Sequence, residues 1–237
     1  MFTKSAPYYD AVYAAKDYKA EAAKVRALIE ETMRRPARTL LDVACGTGLH
    51  LAEFRSWLEA EGIDLNEDLL ALARARLPDV RFHVGDMSGF DLGRGFDVVT
   101  CLFSAIGSMT DVEHLNSAIA SMARHVAPGG LLVVEPWWSP ADWRLDGKPR
   151  AIFVDQPDLK LARMSISGRE GNVAILDFHY LRGTPEGITT FTEPHRLGLF
   201  TTEEQLSAFR MAGLEVGHDP VGLTERGLFI GRKAEPA

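Results

Sequence analysis

Cysteine is scarce in this chain: Cys45 and Cys101 are the only two among 237 residues. A pair that small cannot build a disulfide framework, and each ends an apolar run, so both read as small buried thiols in a reducing compartment. No run of some eighteen apolar residues is present, and the N-terminus has no secretory apolar core, so neither a membrane span nor export is expected. The expected location is cytoplasmic. Positive charge is short as well, with 26 Lys and Arg against 33 Asp and Glu and a formal net charge of −7. Bulk electrostatics of that sign hold neither nucleic acid nor an anionic membrane, so an anionic substrate must be caught by local arginines. The histidines and cysteines lack ligand spacing, so no metal site is expected. Internal repeats and low-complexity tracts are missing too, and only Ala234–Ala237 reads as a loose tail.

What is present is organised around Leu40-Leu41-Asp42-Val43-Ala44-Cys45-Gly46-Thr47-Gly48. An apolar run stops at a small-residue turn, and a helical segment, Leu49 to Leu58, begins at once. Strand, tight turn and helix start in that order build a ligand site at the carboxyl edge of an open α/β sheet. Gly46 and Gly48 permit backbone conformations and a close ligand approach that a Cβ would obstruct. The turn departs from G-x-G-x-x-G, since Asp42 heads it and Ala44 stands where a glycine is frequent. An acid at the mouth disfavours a pyrophosphate and suits a cofactor with an amino group or ribose hydroxyls.

Strands and helices then alternate. Arg38–Cys45, Glu59–Asn66, Val80–Val84, Phe96–Phe103 and Leu131–Glu135 read as strands, with helices over Asp17–Thr32, Glu67–Leu77 and Asp111–Val126. That alternation predicts a doubly wound, mostly parallel sheet. Asp64 lies sixteen residues past Gly48, near the spacing at which an acid holds ribose hydroxyls; the other reading is a turn carboxylate, although Asn66 already offers the helix cap. Gly85-Asp86-Met87 puts another acid at a strand end beside an apolar thioether, a pairing that suits an adenine ring. Ser104–Ser108 is a small-residue loop at the same edge. Four tyrosines, Tyr8, Tyr9, Tyr13 and Tyr18, crowd the N-terminus, as a staple to the domain or as a lid over the first strand's ligand.

After Glu135 the pattern changes. Pro136-Trp137-Trp138 opens a segment without helical period, whose runs at Ala151–Val154, Leu159–Ser165, Val173–Leu181 and Ile188–Phe200 predict an antiparallel layer. Trp137 and Trp138 would point to opposite faces of a strand, so one would floor a pocket; the other reading is an exposed aromatic tucked under the insertion. A capping box at Thr201–Glu204 starts the last helix, and Glu215–Gly217 and Gly227–Arg232 complete a seven-stranded Rossmann-like sheet. Arg226 faces either the pocket or water. The expected division is 1–138 for cofactor binding with an N-terminal lid, 139–200 for the substrate side and a homodimer surface, and 201–237 completing the main domain.

Leu41–Gly48, Asp64, Gly85–Met87 and Ala127-Pro128-Gly129-Gly130 together resemble the class I S-adenosylmethionine-dependent methyltransferases. Cys101–Ser104, Val133–Trp138, Arg226–Phe229, Arg169-Glu170-Gly171 and His195-Arg196 narrow the resemblance to the TDP-amino-sugar N-methyltransferases of natural-product biosynthesis, from about Tyr9 to Gly231. The resemblance implies S-adenosylmethionine as cofactor and a TDP-amino-sugar as substrate. It implies that Tyr9 and Ala44 line the methionine end, Asp64 holds the ribose, Asp86 and Met87 meet the adenine, and Cys101 and Leu102 wall it. It also implies that Tyr18, Ser104, Trp137, Trp138 and Arg226 face the nucleotide-sugar, with Arg226 on its phosphates. Some members carry a histidine or tyrosine where this chain has Ser108, which leaves Ser108 as a candidate positioning residue. A tyrosine upstream of Tyr9 in relatives has no match beyond Phe2. Two rival readings stand beside this one. One is a methyltransferase acting on a hydroxyl or another small amine, where an O-methylating site would take a base from His114, His179 or His195; the other is a cofactor-binding module that performs no catalysis.

Overall fold

A computed structural model describes residues 3–235; Phe2 and the end of the expected tail lie outside them. The first parallel unit follows the sequence closely. β1 (Thr39–Val43) is buried along its last four residues, as a central strand covered on both faces should be. β2 (Glu59–Asp64), β3 (Arg81–Val84), β4 (Phe96–Cys101) and β5 (Val126–Val134) run parallel to it. α1 (Tyr9–Val12) and α2 (Tyr18–Thr32) precede the sheet, while α3 (Leu49–Phe54), α4 (Glu67–Arg76) and α5 (Val112–Arg124) connect its strands. The Asp17, Asn66 and Asp111 side chains cap α2, α4 and α5 by accepting from free backbone N–H groups of the first turn.

Ala127–Gly130, which lies between the expected helix Asp111–Val126 and the expected strand Leu131–Glu135, is not a break between them. Pairing with β4 already begins at Val126, and the segment is absorbed as an irregularity in the register between Phe96 and Val98. Gly129, at φ +74°, makes this bend.

β11 (Leu214–Asp219) and β12 (Leu228–Lys233) complete the sheet antiparallel after α6 (Thr202–Met211), in the order β11-β12-β5-β4-β1-β2-β3. The order reverses direction between β1 and β4, so a crevice opens there at the carboxyl ends of the parallel strands. Leu41, Val99 and Leu132 pack on one face of the sheet, and Leu40, Val98 and Val133 on the other.

The insertion forms a sheet of its own from β6 (Arg150–Gln156), β7 (Leu159–Ser165), β8 (Ser167–Glu170), β9 (Val173–Thr184) and β10 (Gly187–Gly198). β8 is a strand the sequence pattern passes over: Ser-Gly-Arg-Glu has neither apolar alternation nor branched residues, and only its pairing to β9 makes it a strand. Val154, Leu161, Phe178 and Tyr180 form a small core closed by Val12 of α1. Phe153, Met164, Leu181 and Ile188 stay exposed. Among the described residues no helix is long and apolar enough to cross a membrane.

Candidate active site

The glycine turn after β1 carries three left-handed residues: Ala44 at φ +57°, Gly46 at +56° and Gly48 at +77°. Ala44 therefore keeps the conformation a glycine would take, at the steric cost of its Cβ. The turn sits tightly on β2, because a Cβ on Gly62 would fall 2.7 Å from Cys45 Sγ. Asp64, at the end of β2, closes the arrangement: Oδ2 accepts from Gly46 N at 2.8 Å and Oδ1 from Asn66 N at 2.8 Å. Burial pushes its carboxyl above the usual range despite these bonds.

Asp42, Ala44, Gly46, Thr47, Leu102 and Phe103 line a cleft at this edge, closed over by Tyr9 and Tyr18. About 340 Å³ of it is not filled by atoms, part of that open to solvent. Asp42 is 3% exposed and accepts from Thr100 Oγ1 at 2.7 Å. Burial pushes its carboxyl up to about 6. The buried Tyr18 hydroxyl has no partner among the described residues, and a polar atom left so calls for a ligand.

The N-terminal tyrosines act as staple and cover together. Tyr13 packs edge-on against Phe103, 5.1 Å between ring centroids, and lies 4.8 Å from Tyr9. Asp10 accepts from Thr47 Oγ1 at 2.6 Å and pairs with Arg76, which fastens α1 to the glycine turn. On the other side Glu193 of β10 accepts from Thr3 N, Lys4 N and Ser5 Oγ. The segment thus bridges the two sheets.

Beside the cleft, three distant segments meet. Phe103 and Ser104 both hold left-handed backbone, at φ +53° and +59°, an unusual strain for two consecutive side-chain-bearing residues. Glu135, wholly buried after β5, accepts from Phe103 N at 2.6 Å and from Thr224 Oγ1, so one carboxylate ties this loop to the loop before β12. Ser104 Oγ donates to Pro136 O at 2.6 Å and accepts from Arg226 Nη1 at 2.7 Å. The Arg226 guanidinium lies 5.1 Å from the Trp137 ring and 5.8 Å from Trp138. Trp137 Nε1 and Arg226 Nε are buried without partners among the described residues.

Packing places the remaining candidates. Trp137 and Trp138 follow the end of β5, so strand alternation does not separate them; both are half-buried and share one guanidinium. Met87 is 8% exposed and packs into the core, and Asp86 is exposed with Oδ1 accepting from Ser88 N and Oγ. Cys101 is likewise wholly buried in the core, leaving the wall to Leu102 and Phe103. His114 pairs with Asp111 on the surface, and His179 and His195 sit on the second sheet. The histidine that lines the cleft is His50.

His50 Nε2 lies 2.9 Å from Glu21 Oε2, and Lys16 pairs with the same carboxylate. Burial alone would raise Glu21, but the bonds from His50 and Lys16 hold it below the usual range. The sequence signal for this group was weak: Lys16, Glu21 and His50 share a face only after α2 packs on α3. Ser108 is half-buried in the short turn Ala105–Ser108, beside Gly107, where an added Cβ would meet Trp137 Cβ at 2.9 Å.

Comparison with known proteins decides what this edge serves. Residues 40–130 match a methyltransferase domain. The chain is 44% identical over 230 residues to the dTDP-3-amino-3,6-dideoxy-alpha-D-glucopyranose N,N-dimethyltransferase of Streptomyces fradiae, covering 95% of this chain and 89% of that protein. It belongs to the TDP-amino-deoxysugar N-methyltransferases. The crystal structure of Streptomyces venezuelae DesVI superposes with a TM-score of 0.90 at 42% identity, over 97% of this chain and 98% of that one. S-adenosylmethionine-bound CalS10, an amino pentose methyltransferase from Micromonospora echinaspora, gives 0.85 at 41% identity, over 99% and 98%.

This sugar N-methyltransferase uses S-adenosylmethionine, and the cleft fits that cofactor. A buried carboxylate at Asp42 suits a ligand bearing positive charge, the unpartnered Tyr18 hydroxyl offers a hydrogen bond, and the left-handed turn exposes backbone to close approach.

Proposed function

We propose that the chain transfers methyl groups from S-adenosylmethionine to the amino group of a TDP-linked amino-deoxysugar in natural-product biosynthesis. The similarity that carries this reading runs through the inserted sheet and the Arg226 corner as well as the cofactor half. Of the relatives named above, the Streptomyces fradiae enzyme is named for a TDP-linked amino-sugar, and CalS10 is named as an amino pentose methyltransferase involved in calicheamicin biosynthesis.

The sulfonium, when bound, supplies a methyl carbon already activated for displacement. The chain's own residues have to bind, exclude water and align. Tyr9, Asp42, Ala44, Gly46, Gly48, Asp64 and Leu102 would hold the cofactor, with Asp64 on the ribose. Asp86 would meet the adenine only after its turn with Ser88 opens. Tyr18, Ser104, Trp137, Trp138 and Arg226 would hold the acceptor. Arg226 is held in place by Ser104 and two indoles, so its free donors are pre-aimed at the diphosphate, the fork geometry such a group requires. Burial beside positive charge disfavours an ammonium and supplies the neutral amine. Alignment of this kind lowers barriers by up to roughly 7–11 kcal/mol.

Radiolabelled transfer to a panel of TDP-amino-sugars, followed by mass analysis, tests the reading. One or two methyls on nitrogen are expected. Oxygen products would establish the O-methylating alternative, and cofactor binding without turnover the non-catalytic one. The second sheet's outer face, with Phe153, Met164, Leu181 and Ile188 exposed, would pair two copies. Light scattering on Phe153→Glu against the parent chain reads that out as a loss of dimer.

A further inference from the structure

A single carboxylate closes a ring of hydrogen bonds at the seam between the cofactor cleft and the Arg226 corner. Glu135 is wholly buried just past β5, and its backbone N donates to Cys101 O at 2.9 Å. Its Oε2 accepts from Phe103 N at 2.6 Å, and its Oε1 accepts from Thr224 Oγ1. The next carbonyl in the chain, Pro136 O, accepts from Ser104 Oγ at 2.6 Å, and that hydroxyl accepts in turn from Arg226 Nη1 at 2.7 Å. Arg226 follows Thr224 by two residues. The path therefore runs from Glu135 to the Phe103–Ser104 turn, on to Arg226, and back through Thr224 to the same carboxylate.

Both loops in this ring depart from ordinary backbone. Phe103 and Ser104 are left-handed, and so is Glu225, at φ +63°, between the two tied residues of the other loop. Side chains in that region persist only where the surroundings over-determine them. The loop that carries Arg226 is pinched at its base, because a Cβ on Gly222 would fall 2.3 Å from Gly227 O. Lys24 Nζ donates to Leu223 O at 3.1 Å from outside. At the tip, the side-chain ties are Thr224 to Glu135 and Arg226 to Ser104. A carboxylate suits the junction, since it accepts at two oxygens of fixed spacing and can take one donor from each loop. Among the described residues no lysine, arginine or histidine forms an ion pair with Glu135. A buried acid without a basic partner is costly, and the geometry it enforces gives a reason for keeping it.

We propose that Glu135 is a positioning residue for the methyl transfer, fixing through Thr224 and the Phe103–Ser104 turn where Arg226 stands relative to the cofactor cleft. Phe103 lines that cleft, and the next residue anchors Arg226. One side chain thereby sets the span between a diphosphate on Arg226 and the methyl carbon, the span that decides whether the amine is in line. This rests on the acceptor class given under the proposed function.

Glu135→Ala cuts both ties and leaves Phe103 N unpaired in the interior, so a loss of folding would give the same result. Thr224→Val cuts only the tie to Oε1 and keeps the shape of the side chain. Its expected results are a rise of about tenfold in KM for the TDP-amino-sugar, a kcat within about threefold of the parent chain's, and an unchanged dissociation constant for S-adenosylmethionine. Thr224→Ser restores the hydroxyl and should return KM to within about twofold of the parent value. In an Arg226→Met background, Thr224→Val should raise KM by less than about twofold, because its effect runs through that guanidinium. A purely structural threonine gives another pattern: kcat falls with the active fraction, KM holds, and the two substitutions add. That pattern, or an unchanged KM in Thr224→Val, overturns the proposal even where amino-sugars are methylated. Calorimetric titration with TDP, which carries no amine, separates the proposal from the acceptor reading. In a chain that methylates no amino-sugar, weaker TDP binding in Thr224→Val that disappears in the Arg226→Met background keeps the positioning role and removes the amine acceptor. Unchanged or absent TDP binding there overturns both.

Discussion

The two halves of the site are built by different means. The cofactor half is made by backbone: left-handed turn residues, a glycine packed under them, and acids at consecutive strand ends. The proposed acceptor half is made by side chains from distant segments, with Ser104, Glu135, Trp137 and Arg226 meeting only after the main sheet closes. A backbone site keeps its shape while a few nearby residues are exchanged. A side-chain site is altered one residue at a time, which suits the part that must distinguish substrates.

The sharpest way to break this contrast is Asp64→Ala. The substitution removes the acceptor for Gly46 N and Asn66 N together, leaving buried donors unpaired, and takes away the proposed ribose contact. We expect cofactor affinity to fall by about 100-fold with a loss of thermal stability alongside, since each orphaned buried group costs roughly 1–3 kcal/mol. Equilibrium dialysis with labelled cofactor and a melting curve check both. A change in activity with unaltered cofactor affinity would mean that the turn does not depend on its acid.

Arg226→Met should show the opposite profile. Loss of charge-assisted bonds to a diphosphate predicts a fall of roughly 30-fold in kcat/KM for the TDP-amino-sugar. The cofactor dissociation constant should not move, because Arg226 is anchored to Ser104 and the indoles and not to the glycine turn. If cofactor binding weakens as much as substrate binding, the two halves are one unit.

How much of this the sequence carries follows from the same division. Asp42, Gly46, Gly48 and Asp64 were legible because a strand end, a turn and the next strand end are local signals with fixed spacing. The same holds for the parallel order and for four strands of the insertion. The orientation of Met87 and Cys101 was not legible, because a residue type at a strand end does not reveal which way its side chain turns, and both turn into the core. His50 was missed because helical placement says nothing about what packs on that face. The contacts among Lys16, Glu21 and His50 arise from tertiary packing over long separations, which no local pattern encodes.

Asp42 sharpens the comparison through pH. Its carboxyl sits at about 6 in the folded chain and in the ordinary range near 4 once unfolded. The folded state holds that proton more tightly, so Asp42 supports folding at acid pH and withdraws the support as pH rises through about 6. A positively charged ligand beside it works the other way and is bound better once the carboxylate has ionised. The melting-temperature gain on adding S-adenosylmethionine should therefore be larger at about pH 7.5 than at about pH 5, by roughly 3–6 °C. Equal gains would place the cofactor's charge away from Asp42.

Ala44→Gly tests the backbone half at lower amplitude. Removing the Cβ relieves a left-handed alanine, roughly 1–2 kcal/mol, against a gain of unfolded-chain freedom worth about 0.4–1 kcal/mol. The net stabilisation of about 1 kcal/mol should raise the melting temperature by roughly 2–4 °C for a chain of this size, without loss of cofactor affinity. A drop in stability would show that the Ala44 methyl makes contacts worth more than the strain.

The smallest effect is expected at Ser108, and its smallness is informative. General-base catalysis contributes about 10²–10⁴ in rate, so a serine that took the amine's proton would reveal itself on removal. Alignment alone leaves no such dependence. Ser108 sits beside the Trp137 corner on a short turn whose backbone is fixed by Gly107 and by the Glu135 bond to Phe103, and none of these needs its hydroxyl. Ser108→Ala should therefore change kcat by less than about threefold, with the same pH profile for turnover as the parent chain. A fall of 100-fold or more at unchanged KM would make the serine part of a proton path. The acceptor half would then do chemistry as well as hold its substrate, and the division between a backbone-made and a side-chain-made half would have to be redrawn around it.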